Sequence, residues 1–134
     1  EFLVEACLIP DSWKWFPLTH ASVLVSAVAV VFFYGIRIAA MVTCGENFSL
    51  EIEEEHREDH TLVTHGVFRY LRHPSYFGWF WRTVCSQLVL MNPICFVGFT
   101  VVTWKFFKDR IPYEESLLSS KAFFGPSYAA YQRK

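Results

Sequence analysis

Gly66-Val-Phe-Arg-Tyr-Leu-Arg-His-Pro-Ser-Tyr-Phe-Gly78 decides the predicted fold, together with Asp109-Arg-Ile-Pro-Tyr-Glu-Glu115 further along the chain. These two polar clusters bracket a pair of strongly apolar segments that meet at Asn92-Pro93. Pro93 disfavours the α region at the residue before it and lacks a backbone donor, so it suits a turn between two helices. We therefore predict a helical hairpin over 75–107 whose open end brings both polar clusters together.

The two arms of this hairpin have matching lengths. Tyr76 lies 16 residues before Asn92, and Lys108 lies 16 residues after it. Each arm is shorter than the roughly 20 apolar residues of a comfortable membrane span. Short helices of a thin hairpin, a re-entrant pair, or spans extended by neighbouring polar residues all fit this length.

The composition favours a membrane protein. Of the 134 residues, 53% are hydrophobic and 19% aromatic, which is rich for a soluble domain of this size. Leu18–Ile36 carries no formal charge apart from the titratable His20. We predict a transmembrane helix over 18–43, with Arg37 snorkelling toward one interface. A buried helix of a larger soluble core is the alternative, and the two further apolar segments argue against it.

Basic residues are unevenly distributed along the chain. Lys14 is the only one before the first span, whereas the segments 45–74 and 109–134 carry most of the others. The positive-inside rule places both segments on the cytoplasmic side. The predicted fold class is thus an all-α integral membrane protein with about three transmembrane helices, a cytoplasmic connection and a C-terminal amphipathic helix. Nothing in this pattern indicates nucleic-acid binding.

Neither a disulfide framework nor a metal site is supported. The four cysteines contain no Cys-x-x-Cys pair and fall in or beside the apolar segments. Glu51-Ile-Glu-Glu-Glu-His-Arg-Glu-Asp-His60 is rich in carboxylates, but it matches no usual ligand spacing. Charge runs of this kind are usually solvated surfaces.

Two features at the hairpin's open end suggest a site. Pro74 fits the first turn of a helix, whose free backbone donors beside Arg72 and His73 could receive an anionic group. Pro112 argues against an unbroken helix, which predicts a joint over Asp109–Ile111 that aims Arg110 inward. Glu114 would then open a short amphipathic helix. Lipid-headgroup anchoring of these cations, and a paired surface carboxylate at Glu114, remain open alternatives.

Several motifs in order closely resemble the isoprenylcysteine carboxyl methyltransferase family, in its C-terminal catalytic part. They are Asn47-Phe48, His60-Thr-Leu-Val-Thr-x-Gly66, Arg72-His-Pro-Ser-Tyr-x-Gly-Trp79, Gln87, Asn92-Pro-Ile-Cys95, Phe106-Phe107, Asp109-Arg110, Glu114-Glu115 and Phe123-Phe-Gly-x-x-Tyr-x-x-Tyr131. The resemblance runs from about Phe2 to the last residue. Because the chain begins at Glu1, we expect a fragment that lacks the family's earlier transmembrane helices.

The resemblance implies a multi-pass enzyme of the endoplasmic reticulum membrane with its active site facing the cytoplasm. Its family uses S-adenosylmethionine to methylate the C-terminal carboxylate of farnesyl- or geranylgeranyl-cysteine on CaaX proteins such as small GTPases. Arg110 would hold the substrate carboxylate. The cofactor site would comprise His60, Thr61, Leu62, Val63, Phe68, His73, Pro74, Ser75, Tyr76 and Glu114.

Three positions depart from the family pattern. Phe68 stands where the family usually has Tyr, and Glu53 stands where it often has Gln. Arg82 lies inside an apolar helix where the family generally has a large apolar or aromatic residue, so we expect it to face protein or a watery cavity.

Three alternative functions remain open from the sequence. An NADPH-dependent membrane sterol reductase would use a similar hairpin and a similar basic and acidic tail. A phospholipid N-methyltransferase would share the cofactor, but its amine acceptor gives Arg110 no carboxylate to bind. A truncated membrane module without catalysis is the non-enzyme alternative.

Overall fold

A computed structural model describes residues 20–52, 60–90 and 92–133. Within these ranges the chain forms helices and loops without a strand, so the prediction of an all-helical fold is confirmed. The α-helices are α1 (His20–Cys44), α2 (Pro74–Val89), α3 (Pro93–Leu118) and α4 (Pro126–Gln132), with short 3-10 helices at Gly45–Asn47 and Gly66–Arg69.

Helix α1 is the most apolar element. Its 25 residues extend about 37 Å at a rise of about 1.5 Å per residue. Large apolar side chains such as Val25, Val31 and Val42 are exposed along it. Among the described residues, one helix, over Ala21–Asn47, has the length and composition to cross a membrane. Residues 18 and 19 of the predicted span lie outside the described ranges.

Helices α1 and α2 pack antiparallel at close range around Gly78. A Cβ atom at Gly78 would lie 2.6 Å from the Phe33 carbonyl oxygen and 2.9 Å from the Arg37 amide nitrogen. The rings of Phe33 and Trp81 stack one turn further along, at 5.9 Å between centroids. Only glycine therefore lets the two backbones approach this closely.

Helix α3 begins where the turn chemistry of the sequence indicates. The Asn92 side chain accepts a 2.8 Å hydrogen bond from the Cys95 amide and so caps α3, with Pro93 in its first turn. Ring pairs at 5.0 Å for Tyr76 with Phe107 and 6.2 Å for Phe80 with Trp104 show that α2 and α3 run antiparallel. Their polar ends therefore lie side by side.

The predicted joint at Asp109–Ile111 is wrong, because α3 continues through Pro112 to Leu118. Proline removes a single backbone donor, and a long packed helix can retain its other hydrogen bonds around that gap. The predicted separate helix at Glu114 is consequently part of α3. Arg110 and Glu114 thus stand four residues apart on the same helical face.

Helix α4 folds back toward the rest of the molecule through a turn at Gly125. This residue has a φ of +47°, in the region that glycine adopts without strain. Its amide donates a 3.0 Å hydrogen bond to the Ser120 carbonyl oxygen. The turn brings Tyr128 and Tyr131 to buried positions.

Arg82 faces α1, as expected for a charge inside an apolar helix. Its guanidinium carbon lies 5.9 Å from the centroid of the Tyr34 ring. Its Nε atom is buried and has no hydrogen-bond partner within the described ranges. A cation–π contact is worth about 0.5–1 kcal/mol, whereas an unsatisfied buried donor costs about 1–3 kcal/mol.

Arg82→Leu is therefore expected to leave the free energy of unfolding unchanged or to raise it by about 1 kcal/mol. Thermal unfolding of the purified protein in lipid nanodiscs measures this. The matched control is Arg37→Leu, on the facing helix, which is expected to destabilise because Arg37 donates a 3.0 Å hydrogen bond to Ser75. A clear loss of stability in Arg82→Leu would contradict the prediction.

Candidate active site

Two adjoining cavities open where the polar ends of α2 and α3 meet the segment that follows α1. Their linings share four residues, namely Phe48, Ser49, Ser75 and Tyr76. The Tyr76 end of α2 is thus common to the walls of both cavities.

All ten residues predicted for the cofactor site line the first cavity. They are His60, Thr61, Leu62, Val63, Phe68, His73, Pro74, Ser75, Tyr76 and Glu114. Arg110, predicted to hold the acceptor carboxylate, lines the second cavity. Glu53 and the rest of the acidic run over 53–59 lie outside the described residues.

The segment starting at His60 is held against the end of α1 by Asn47. The Thr61 amide donates to Asn47 Oδ1 at 2.9 Å, and Asn47 Nδ2 donates to Thr61 Oγ1 at 3.3 Å. The same Nδ2 lies 3.3 Å from the carbonyl oxygen of Cys44, the last residue of α1. Asn47 is part of the family pattern, and these hydrogen bonds show that it positions the segment that begins at His60.

Arg37 points into the protein instead of snorkelling to an interface as predicted. Its Nη1 atom donates to Ser75 Oγ at 3.0 Å, and Ser75 itself is buried in the first turn of α2. Pro74 is fully buried beside it. The nearby hydroxyl and carbonyl of Ser75 offer acceptors inside the protein, which explains the inward orientation. Arg37 also lines the second cavity.

His73 connects α2 to the carboxylates of α3. Its Nε2 atom lies 3.1 Å from Glu115 Oε1, and because a carboxylate only accepts, Nε2 carries the proton. Its ring stacks on Tyr76 with 5.5 Å between centroids and 5° between planes. Arg72 Nη1 lies 3.4 Å from the same Glu115 oxygen. Glu115 therefore orients the His73 ring, and its negative charge compensates the positive charge of Arg72.

Glu114 presents an unused carboxylate oxygen to the first cavity. Its Oε2 atom is buried and makes no hydrogen bond within the described part of the chain. It lies 3.8 Å from His73 Nδ1. A buried carboxylate oxygen without a hydrogen bond suits a ligand with N–H donors, such as an ammonium group.

Arg110 is fixed at the wall of the second cavity. Its Nε atom donates to the Tyr76 hydroxyl at 2.9 Å, and its Nη2 atom donates to the Leu50 carbonyl oxygen at 2.7 Å. Its guanidinium carbon lies 5.5 Å from the ring centroids of both Tyr76 and Phe106. These contacts orient the guanidinium before any ligand arrives.

The second cavity combines two guanidinium groups with aromatic walls. Arg37 and Arg110 are its charged residues, and the described residues that line it include no carboxylate. Trp79, Phe106 and Phe107 form much of the remaining surface. A ligand that matches this lining has an anionic head and an apolar body.

The C-terminal segment forms part of the lining of the first cavity, a role that the sequence pattern did not indicate. Phe123, Phe124, Tyr128 and Tyr131 line it. The Tyr131 hydroxyl donates to the Phe68 carbonyl oxygen and so ties α4 to the connection before α2. The Phe-Phe-Gly-x-x-Tyr-x-x-Tyr pattern was the available signal, but it carried no indication of which ring would face a ligand.

This geometry defines a class of protein, an all-helical chain in which a polar cavity adjoins a cavity with two guanidinium groups at the end of apolar helices. The model of the isoprenylcysteine carboxyl methyltransferase (ICMT) family matches residues 23–120. The chain belongs to this family.

Individual relatives agree with this membership. The chain is 46% identical to a protein-S-isoprenylcysteine O-methyltransferase of Dictyostelium discoideum, with 99% of this chain and 53% of that protein aligned. It is 45% identical to the Homo sapiens protein of the same name, with 100% of this chain and 45% of that protein aligned. The chain thus spans about half the length of these curated relatives.

A solved structure is similar over nearly the whole chain. It is described as the eukaryotic intramembrane Ras methyltransferase ICMT without a monobody. The TM-score is 0.84 at 37% sequence identity, and the match covers 99% of this chain and 46% of the other. The arrangement of these helices is therefore that of the family.

Proposed function

We propose that this protein catalyses S-adenosylmethionine-dependent methyl esterification of the C-terminal prenylcysteine carboxylate of prenylated CaaX proteins. The observation that carries the proposal is the pair of adjoining cavities. One presents the unpaired carboxylate oxygen of Glu114, and the other presents the oriented guanidinium of Arg110. A cationic methyl donor and an anionic methyl acceptor can thus be held on either side of Tyr76.

S-adenosylmethionine fits the residues of the first cavity. Aromatic rings and a small number of polar groups line this cavity together, as is usual for the binding site of an organic cofactor. Glu114 would accept a hydrogen bond from its ammonium group, and the faces of Tyr76 and Phe68 would contact its adenosine or sulfonium. When bound, this cofactor supplies an electrophilic methyl group on a sulfonium sulfur.

Arg110 would bind and orient the acceptor carboxylate in the second cavity. An α-carboxyl group has a pKa near ~3.5, so it is already ionised at neutral pH and requires no general base. The site must instead align the two reactants and exclude water from the nucleophile. A guanidinium can hold a carboxylate through two parallel hydrogen bonds, which fixes its direction. The aromatic walls beside Arg110 suit the apolar prenyl chain.

The membrane arrangement is part of the proposal. The length and apolar surface of α1 support a span, and exposed apolar residues of α3 such as Ile94, Val97 and Val101 support a lipid-facing helix. Together with α2 this gives about three transmembrane helices in this part of the protein. We propose the endoplasmic reticulum membrane, with the site facing the cytoplasm on the positive-inside argument.

The proposed partners are farnesylated or geranylgeranylated CaaX proteins such as small GTPases. The similar solved structure is described as a Ras methyltransferase, which supports this class. The apolar prenyl chain would enter sideways between helices, while the water-soluble cofactor arrives from the cytoplasm.

Methyl transfer from labelled S-adenosylmethionine to N-acetyl-farnesylcysteine tests the function in membranes that contain the full protein. We expect base-labile label in the acceptor, because a methyl ester hydrolyses in base. The matched control is N-acetyl-farnesylcysteine amide, which lacks the carboxylate and should receive no label. Base-stable label in phospholipid amines would indicate an N-methyltransferase. Oxidation of NADPH with a sterol substrate, without methyl transfer, would indicate a reductase.

A further inference from the structure

Tyr128 carries a buried hydroxyl group without a partner. The side chain is only 2% exposed, yet its hydroxyl oxygen makes no hydrogen bond within the described ranges. A buried polar group left unsatisfied is costly, so such atoms are uncommon in native structures. Tyr128 is also one of the residues that line the first cavity, so a ligand bound there would lie next to this side chain.

The neighbouring tyrosine of the same helix provides a contrast. Tyr131 also lines the first cavity and is also buried, but its hydroxyl donates to the Phe68 carbonyl oxygen. The two rings are 5.9 Å apart. Packing of α4 therefore gives the Tyr131 hydroxyl a hydrogen-bond acceptor but gives none among the described residues to the Tyr128 hydroxyl. This difference indicates that the two tyrosines have different roles.

The Tyr128 hydroxyl is a hydrogen-bond donor at neutral pH. Burial raises the pKa of Tyr128, and the nearby carboxylate of Glu115 raises it further. The phenol thus stays protonated and has a hydrogen to donate. An acceptor on a ligand is what the group lacks.

One carboxylate oxygen of Glu114 and the hydroxyl of Tyr128 are complementary atoms without a hydrogen bond in the described part of the chain, on two residues that line the same cavity. Oε2 of Glu114 is an acceptor on α3, and the Tyr128 hydroxyl is a donor on α4. Arg72 lines the same cavity and adds a positive charge near Tyr128. A ligand that satisfies both orphaned atoms carries an ammonium group and an anionic acceptor close together, as an α-amino acid does.

We infer that the Tyr128 hydroxyl binds the carboxylate of the cofactor's methionine moiety, while Glu114 binds its ammonium group. This inference rests on the proposed use of S-adenosylmethionine and adds a further specificity-determining residue to its site. Tyr128 selects a ligand that ends in an intact amino acid. Without ligand the hydroxyl remains unsatisfied, so the empty site is less stable than the filled one.

Two ligands that differ by one group test the inference. Decarboxylated S-adenosylmethionine keeps the amine, the sulfonium and the adenosine, but lacks the carboxylate. Calorimetric binding to the full protein in lipid nanodiscs would be measured for both ligands. Tyr128→Phe is expected to weaken binding of S-adenosylmethionine by about 10- to 100-fold, the scale of a hydrogen bond to a charged group. Binding of the decarboxylated ligand is expected to stay the same.

Stability without ligand provides an independent readout. Because Tyr128→Phe removes an unsatisfied buried hydroxyl, the melting temperature of the empty protein should stay the same or rise. Tyr131→Phe is the matched control, since it removes a satisfied hydroxyl from the same helix. It should lower the melting temperature and should not discriminate between the two ligands.

Two outcomes would overturn the inference. An equal loss of affinity for both ligands in Tyr128→Phe would mean that the hydroxyl acts on the adenosine or on the cavity shape. Unchanged affinity for both would mean that it contacts no ligand. If the unaltered protein bound neither ligand, the proposed function would fail as well, which separates that result from the other two.

Discussion

Arg110→Ala is expected to weaken binding of the prenylcysteine acceptor by about 1.5–3 kcal/mol, the scale of a hydrogen bond to a charged group. The physical reason is that Arg110 is held by the Tyr76 hydroxyl and the Leu50 carbonyl oxygen, which orient its guanidinium in the second cavity. Cofactor binding should change little, because in the proposed site Glu114 and His73 would hold the cofactor in the first cavity. Acceptor KM and S-adenosylmethionine affinity, measured separately, check this division.

Two variants sharpen the Arg110 result. Arg110→Lys keeps the charge but cannot form the two parallel hydrogen bonds of a guanidinium, so most of the loss should persist. Lys108→Ala removes an exposed cation from the same helix and should leave acceptor binding unchanged. Equal losses of acceptor and cofactor affinity in Arg110→Ala would refute separate roles for the two cavities.

Gly78→Ala is expected to lower the free energy of unfolding by about 2 kcal/mol. A new Cβ would lie 2.6 Å from the Phe33 carbonyl oxygen and 2.9 Å from the Arg37 amide, both of them backbone atoms that cannot rotate away. Overpacking costs about 1–3 kcal/mol, and a forced separation of α1 from α2 lies at the upper end. The higher helix propensity of alanine offsets only about 1 kcal/mol of this loss of stability. Thermal unfolding in nanodiscs measures the net change.

Gly98→Ala is the matched control for the helix contact. Gly98 lies within α3 and has nothing within 4 Å of an added Cβ. Its substitution should leave stability unchanged or increase it by up to about 1 kcal/mol through helix propensity. If Gly78→Ala behaved like Gly98→Ala, the close approach of α1 and α2 would not hold in the protein.

Local signals in the sequence were sufficient at some positions and insufficient at others. Asn92 and Pro93 cap and open α3 through contacts within four residues, so the turn could be read directly. Pro112 obeys the same kind of local rule, but the rule failed because a long helix tolerates one missing donor. The position of Arg110 relative to Glu114 was consequently mispredicted as lying across a joint.

The candidate site shows the same division between local and distant information. His73 and Tyr76 were proposed from the family pattern, and they line the first cavity. Arg37 was assigned to the lipid interface because its chain neighbours are apolar. Its actual partner, Ser75, lies 38 residues away, where no periodicity could indicate it.

The all-helical class, the family and the residue types of the site could be predicted from the amino-acid sequence, because they depend on hydrophobic length, turn chemistry and ordered motifs. Which polar atoms form hydrogen bonds could not be predicted in this way. The hydroxyls of Tyr128 and Tyr131 are equivalent in the sequence, yet packing of α4 pairs only the second with a carbonyl. Hydrogen-bond satisfaction depends on distances between segments far apart in the chain, and those distances exist only after the helices have packed.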